Sequence, residues 1–158
     1  LLVMSIQRQP EILISGEYDL KAINSNDAQT IFSTTRKEKF TRTNWQKSLG
    51  KNVDDYHEFK DKLACDETGC LYKSQSTNTV MFNKNPISLN EDCKIVDILI
   101  TTAHKAENCL HPKIIITQKT IDREGSIEIF MNDGEFRIKT LRETRGQRPW
   151  TLYKDNAP

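Results

Sequence analysis

The sequence predicts a domain of the α+β or α/β class that is rich in β-strands and has few, short helices. Residues 95–100 form the most apolar run in the chain, and their β-branched content is typical of a strand buried on both faces. Residues 113–117 form a second run of this kind. Two further strand patterns surround an Asn-Asp-Gly turn signal at 132–134, which predicts a hairpin over residues 127–141.

The first third of the chain predicts an antiparallel meander. Its three strand patterns are short, and turn residues separate them: Gly16 after the first and a polar cluster after the second. The strands are predicted over residues 11–15, 18–22 and 29–33.

One helix is predicted after the meander. Thr43 followed by Gln46 has the spacing of a helix N-cap and its partner, and Gly50 provides a stop signal. The polar residues 51–62 that come next predict a loop or a weak helix.

The middle of the chain combines a turn, a hairpin and a second capping motif. Gly69 lies in a turn where we expect it to take a positive φ. Strand patterns at residues 71–73 and 79–82 predict a hairpin. Ser88 with Glu91 has the spacing of a capping box, which predicts a helix of one or two turns before the central strand.

Length and composition favour a single globular domain. The chain has 158 residues, of which 36% are hydrophobic and 28% charged, enough for a modest core beneath a well-solvated surface. Its net charge of +1 argues against a general polyanion binder, but not against a local basic patch. No stretch approaches the roughly 18 consecutive apolar residues that a membrane span needs.

The four cysteines leave three alternatives open. An even count permits one or two disulfides, buried thiols, or one metal site with four thiolate ligands. The spacing within the sequence favours none of these strongly. The cysteines are Cys65, Cys70, Cys93 and Cys109.

The loop predicted after the central strand is polar and made of small residues, as is typical of a loop that a central strand delivers to a site. It covers residues 101–105, and His104 is its one candidate metal ligand or general base. Three carboxylates lie nearby in sequence or beside a cysteine: Asp66, Asp92 and Asp97. Capping of neighbouring backbone explains them more simply than metal binding does.

Four short motifs, taken in their order and spacing, carry a family resemblance. They are Cys65-Asp66-x-x-Gly69-Cys70, Asp92-Cys93-x-x-x-Asp97-Ile98-x-Ile100, Cys109-x-x-Pro112 and Arg148-Pro149-Trp150. The series resembles the carboxy-terminal soluble domain of ComEC-type competence proteins, in the divergent form found in alphaproteobacteria. On this resemblance, residues 10–151 form the domain, 1–9 a truncated leader or linker, and 152–158 a tail.

The resemblance implies a fold, a partner and a location. The family's soluble domain looks like a metallo-β-lactamase fold, a β-rich sandwich of two sheets with helices outside. In that family, the full protein is an inner-membrane channel that takes up single-stranded DNA in natural transformation. The implied partners are single-stranded DNA and the membrane channel domain of the same or a neighbouring chain, and the implied location is the periplasm.

The chain departs from the family at the metal site. It has no counterpart of the family's His-x-His-x-Asp-His cluster, and Ala103-His104-Lys105-Ala106 stands where the family has His-His-Gly-Ser. Two hydrolytic metal ions need several converging ligands, which one histidine does not supply. We therefore predict a degenerate, non-catalytic module without a cofactor that guides DNA to the channel. The alternative is a nuclease, dependent on zinc or manganese and acting on the non-imported strand, that is completed by residues outside this chain.

The periplasmic location implied by the resemblance would favour disulfides. The expected pairs are Cys65–Cys70, which closes a small turn, and Cys93–Cys109, which ties the start of the central strand to the loop beyond it. The second pair requires that loop to return most of the roughly 20 Å that a six-residue strand spans. Pairing of either of the first two cysteines with either of the last two is the competing arrangement.

Basic and aromatic residues gather near the C-terminal end. Residues that alternate along a strand share one face, and a basic face with nearby aromatic rings suits single-stranded nucleic acid. The competing interpretation is a solvated strand face beside a Pro-Trp segment that packs onto the domain. The DNA-binding candidates are Arg137, Lys139, Arg142, Arg145, Arg148 and Trp150.

Overall fold

The computed structural model of the chain describes residues 8–17, 19–26, 28–132 and 134–146. Its strands are β1 Ile12–Ile14, β2 Lys21–Asn24, β3 Thr30–Phe32, β4 Tyr56–Glu58, β5 Ala64–Cys65, β6 Gly69–Lys73, β7 Thr79–Asn83, β8 Ile98–Thr101, β9 Ile114–Ile116, β10 Ile127–Asn132 and β11 Glu135–Thr140. Its helices are α1 Lys39–Ser48, α2 Phe59–Lys62, α3 Leu89–Asp92, α4 Gln118–Glu124 and α5 Leu141–Arg145, and a 3₁₀ helix covers Pro86–Ser88.

The strands form two mixed sheets. The first has the order β11-β10-β1-β2-β3-β4 and is antiparallel except for the pair β3–β4. The second has the order β5-β6-β7-β8-β9, in which β7, β8 and β9 are parallel. The mixed α+β class is therefore confirmed. The meander β1–β2–β3 and the hairpins β6–β7 and β10–β11 pair as predicted.

A single layer of apolar side chains lies between the two sheets. Side chains alternate along a strand, so the register Ile12↔Ile23 places both isoleucines on one face of the first sheet. In the second sheet, Phe82, Ile100 and Ile116 are in register on the facing side. All five side chains belong to one buried cluster. The sheets therefore pack face to face as a sandwich.

Helix α1 covers the outer face of the first sheet, and its buried surface includes an arginine. Arg42 is 7% exposed, and its guanidinium carbon lies 4.4 Å from the centre of the Tyr56 ring on β4. Gln46, one turn later, is also buried. The predicted helix start at Thr43 is wrong. The helix begins at Lys39, because Arg42 belongs to the face that packs on the sheet.

The outer face of the second sheet is covered by α3 and by the loop after β8. Met81 and Leu99 pack there against Cys93 and Cys109, both of which are buried. A disulfide joins these two cysteines, and their Cα atoms are 5.3 Å apart. The loop thus doubles back over the sheet, as the expected pairing requires.

The second disulfide, Cys65–Cys70, joins residues that lie opposite each other in β5 and β6. The expectation of a positive φ at Gly69 is wrong, because this residue opens β6 with extended backbone. A Cβ atom at Gly69 would collide with the carbonyl oxygen of Phe82 on β7. Glycine is needed here for close approach of two strands rather than for a turn.

The central strand is shorter than predicted. It begins at Ile98, because residues 93–95 continue the turn that ends α3. Ile95 is consequently 66% exposed. From Ile98 to Thr101 every residue is buried, so the strand is covered on both faces as predicted.

Two local predictions in the middle of the chain need correction. Ser88 makes no capping hydrogen bond at α3; the cap belongs to Asn85, whose side chain accepts the N–H of Ile87 at the start of the 3₁₀ helix. Residues 51–62 contain strand β4 as well as helix α2. Strand β4 is short and pairs with β3 alone, which explains why its pattern is weak.

The helices of the described ranges are all short. The longest, α1, has 10 residues, and none has the length and apolar content needed to cross a bilayer. Two disulfides in one small domain indicate an oxidising compartment outside the cytoplasm.

We expect the two disulfides to contribute unequally to stability. The bond Cys93–Cys109 closes the longer loop, with a sequence separation of 16 against 5, and both of its cysteines are buried. Replacing both by alanine should lower the free energy of unfolding by about 3 kcal/mol or more. The matched replacement of Cys65 and Cys70 should cost less. Denaturant unfolding without reductant measures both, and equal losses would contradict the expectation.

Candidate functional site

A cleft of about 1200 Å³ opens at one end of the sandwich. Five segments meet there: the residues that lead into β1, the end of β2, the loop after α1, and the turns of the hairpins β6–β7 and β10–β11. Antiparallel pairing brings these segments together, because β1 begins where β2 and β10 end. The cleft exceeds the roughly 300–1000 Å³ of ordinary small-molecule pockets, so it can accept an extended ligand.

The inner wall of the cleft carries a paired carboxyl and phenol. The Tyr72 hydroxyl on β6 donates to Glu11 Oε1 over 2.7 Å. Tyr72 is 8% exposed. Burial raises the pKa of Glu11 above its ordinary value, and the hydrogen bond from Tyr72 only partly offsets this. Burial therefore disfavours the charged form of the Glu11 side chain.

Amide side chains line the cleft beside this pair. Asn24 Nδ2 donates to Gln9 Oε1 at 3.3 Å and to the Pro10 carbonyl at 3.1 Å. These two bonds fix the orientation of the amide, so that Asn24 Oδ1 is its acceptor end. That oxygen is buried and accepts no hydrogen bond from any residue that the structure describes. Asn24 thus leaves one buried acceptor unpaired in the wall beside Glu11.

The outer wall of the cleft is cationic and aromatic. Arg137 on β11 is opposite Phe130 on β10, and its guanidinium carbon lies 4.3 Å from the centre of the phenyl ring. Arg8 and Lys51 also line the cleft. Stacking of a guanidinium on a ring holds the side chain in one orientation while its outer N–H groups can bind phosphate.

The predicted basic patch is divided by the structure. Arg137 and Lys139 share one face of β11, but Lys139 pairs with Glu128 at 4.0 Å rather than lining the cleft. Arg142 and Arg145 lie on α5, which follows the end of β11 that is remote from the cleft. Arg148 and Trp150 lie outside the described residues.

Sequence reasoning missed most of the cleft. Glu11 just before β1, Asn24 at the end of β2 and Tyr72 on β6 meet only through the register of both sheets. Glu11 precedes a buried strand and Tyr72 lies within a half-buried strand pattern, which are the ordinary places for a solvated acid and a core aromatic. No local signal joins them.

The loop that carries His104 lies at the opposite end of the sandwich, where β7 and β8 end. Its base is a closed hydrogen-bond network around Asn83, which is 2% exposed. Asn83 Oδ1 accepts the Thr101 hydroxyl at 2.8 Å. Asn83 Nδ2 donates to Asp92 Oδ2 at 2.8 Å and to Ser88 Oγ at 3.0 Å. The polar atoms beneath the loop are therefore paired with one another.

His104 itself is exposed in this loop. The next residue, Lys105, forms an ion pair with Glu107 at 3.1 Å. Among the residues that the structure describes, no three His, Cys, Asp or Glu side chains come together as a group that could hold a metal ion.

Two lysines stand at the same end of the sandwich. Lys84 follows β7, and its carbonyl accepts the hydroxyl of Thr102 at 3.0 Å. Burial lowers the pKa of Lys21, the first residue of β2, to about 8, and the charge of Lys84 adds to this effect. Asp19 and Glu38 act in the opposite direction. Neighbouring ammonium groups make these strand ends unfavourable for a divalent cation.

The three carboxylates singled out from the sequence have structural partners. Asp97 Oδ2 accepts the Thr79 N–H at 2.8 Å and the Thr79 hydroxyl at 3.0 Å, which lowers the pKa of Asp97. Asp66 Oδ1 accepts the N–H of Thr68 at 2.7 Å, within the turn between β5 and β6. Asp92 belongs to the Asn83 network.

Comparison of the chain with protein-family models, with curated proteins and with solved structures found no match. The cleft, and the opposite end of the sandwich where β7 and β8 end, are therefore interpreted from the chemistry of their own residues.

Removal of the Asn83 side chain should destabilise the domain. We expect Asn83→Ala to lower the free energy of unfolding by about 2–4 kcal/mol, since it leaves the buried Thr101 hydroxyl and the Asp92 carboxylate without this partner. Denaturant unfolding measures the loss. Asn90→Ala, an exposed position on α3, is the matched control and should change stability little. Equal effects of the two substitutions would contradict a structural role for the network.

Lys21 should titrate near neutral pH. We expect its side-chain carbon signal, followed by NMR, to titrate with a midpoint near 8 in the folded protein and near about 10.4 in denaturant. Because the folded pKa is the lower one, Lys21 makes folding less favourable as the pH falls from about 10.4 to about 8. Lys84→Met should raise the folded midpoint, since it removes a neighbouring positive charge. A folded midpoint equal to the unfolded one would refute the assignment.

Proposed function

We propose that this chain is the soluble, non-catalytic module of a ComEC-type DNA-uptake protein and that its cleft guides single-stranded DNA toward the membrane channel. The observation that carries the proposal is the Arg137–Phe130 stack on the outer wall of a large cleft. Proteins that bind single strands combine cations for the phosphates with aromatic faces for the bases. Both elements occur here on adjacent strands.

The architecture supports the family assignment. A sandwich with α1 outside one sheet is consistent with a degenerate metallo-β-lactamase-like fold. The motif cysteines form two disulfides, which suits a domain that matures in the periplasm.

The position of the cleft suits a guiding role. In ComEC-type proteins this domain follows the last membrane helix, and the residues that lead into β1 line the cleft. The cleft would then face the channel. Passing a DNA strand from the cleft to the channel needs weak contacts that tolerate any sequence, and base stacking and phosphate contacts provide these.

The chemistry of the opposite end favours a module without hydrolytic activity. The strand ends that would carry the family's metal site hold the closed Asn83 network and the pair Lys21 and Lys84. Ammonium groups repel metal ions and compete with them for the same carboxylates.

Binding of single-stranded DNA should depend on salt and on Arg137. Fluorescence anisotropy with a labelled oligo-dT should show affinity falling steeply between about 50 and 200 mM salt, because phosphate contacts release counterions. We expect Arg137→Gln to weaken binding about five- to tenfold. Lys119→Gln, an exposed cation on α4 away from the cleft, is the matched control and should have little effect. Binding that ignores both salt and Arg137 would contradict the proposal.

A nuclease assay separates the proposal from a metal-dependent enzyme. The purified chain should leave single- and double-stranded DNA intact with zinc or manganese added. Cleavage that needs metal and that His104→Ala abolishes would overturn the non-catalytic assignment.

A further inference from the structure

The inner wall of the cleft offers more than a contact for the DNA backbone. Glu11, just before β1, and Asn24, at the end of β2, lie side by side. The backbone N–H of Asn24 donates to the Glu11 carbonyl at 2.8 Å. Both residues line the cleft, and within the described residues the Tyr72 hydroxyl is the one donor to the Glu11 carboxylate. A carboxylate in this position gains from a ligand that brings adjacent N–H donors.

Among the four DNA bases, only guanine carries two adjacent donors on one edge. Its N1–H and its 2-amino group point the same way and match the two oxygens of a carboxylate. Thymine offers one N–H between two carbonyls, and adenine and cytosine each offer an amino group beside an acceptor. A carboxylate facing an unpaired base therefore prefers guanine, by the same donor and acceptor complementarity that governs reading of base edges in duplexes.

We propose that Glu11 forms a guanine-selective subsite in the cleft, where its carboxylate accepts the N1–H and 2-amino hydrogens of an unpaired guanine. The inference rests on the proposed function, since it specifies which base the cleft holds. Tyr72 acts as a positioning residue, because its hydroxyl fixes one carboxylate oxygen from the side. The phosphates beside the bound base meet the cationic wall formed by Arg8, Lys51 and Arg137.

The location of the rings is consistent with this arrangement. Phe130 and Phe136 come from the hairpin β10–β11 and line the cleft together with Glu11. The Arg137 guanidinium covers one face of the Phe130 ring, and Lys113 Nζ lies 5.2 Å from the centre of the Phe136 ring. A base that directs its edge toward a carboxylate leaves both of its faces available for stacking. Base stacking on a ring tolerates any sequence, so the preference for guanine must come from the carboxylate.

The test uses the whole chain and a set of labelled seven-nucleotide oligo-dT strands that differ at the central position. Anisotropy titrations compare guanine, hypoxanthine, adenine, cytosine and thymine at that position. We expect guanine to bind about tenfold more tightly than thymine. Hypoxanthine, which keeps N1–H but lacks the 2-amino group, should lose part of that gain. This comparison needs no variant and is independent of folding effects.

Substitution then assigns the preference to one side chain. Glu11→Gln should abolish the guanine preference, because the amide replaces one acceptor by a donor, and should raise the affinity for plain oligo-dT no more than Glu135→Gln does, because each removes one negative charge from the cleft. Glu135→Gln is the matched control, since Glu135 is an exposed carboxylate that also lines the cleft. It should raise the affinity for every strand by a similar factor and keep the preference. Thermal unfolding of both variants checks that they are folded.

The outcomes separate the inference from the proposed function. Salt-dependent binding that is equal for all five strands would overturn the guanine subsite and leave the guiding role standing. A guanine preference that survives Glu11→Gln would also overturn the subsite. No binding of any strand by the folded chain would overturn both.

Discussion

Contact between two sheets through one shared layer of isoleucines is the interaction on which the other features depend. Ile12 and Ile23 from the first sheet meet Ile100 and Ile116 from the second, and all four are almost fully buried. Because strand registers are fixed by this layer, a shift of one residue would turn every side chain to the wrong face. The same registers decide which loops meet at each end of the sandwich. The cleft and the Asn83 network are consequences of that packing.

The fold class and the main strands could be predicted from the sequence because their signals are local. The local pattern alone predicts strands at the apolar runs around Ile98 and Ile115. It also predicts a hairpin at the Asn-Asp-Gly turn, and neither prediction needs a distant residue. The start of α1 could not be predicted, since it depends on a ring of β4 that shields the Arg42 guanidinium. The prediction of a positive φ at Gly69 fails for a related reason. Position 69 requires glycine because the backbone of the neighbouring strand β7 leaves no space for a Cβ atom. Errors therefore concentrate where a distant contact overrides the local pattern.

The candidate site was the part least accessible from sequence. The family resemblance predicts a site at the loop with His104, whereas a cleft of about 1200 Å³ lies at the other end of the domain. The cleft is assembled from residues that are ordinary in their local context, and only Arg137 was anticipated among its cations. The two ends also differ in chemistry. One is a closed network beside two lysines, and the other places the Glu11 carboxylate and the Arg137–Phe130 stack beside an open cleft.

The Cys93–Cys109 disulfide has a consequence for where the protein can mature. In many sandwiches a long amphipathic helix covers the outer face of a sheet, but here a one-turn helix and a loop perform that task over Leu99. Both are held down by a covalent bond whose formation requires an oxidising environment. In a reducing compartment this disulfide would not form, and α3 and the loop would not be linked covalently over the sheet. The covering of this sheet face is therefore fixed in place only in an oxidising compartment outside the cytoplasm.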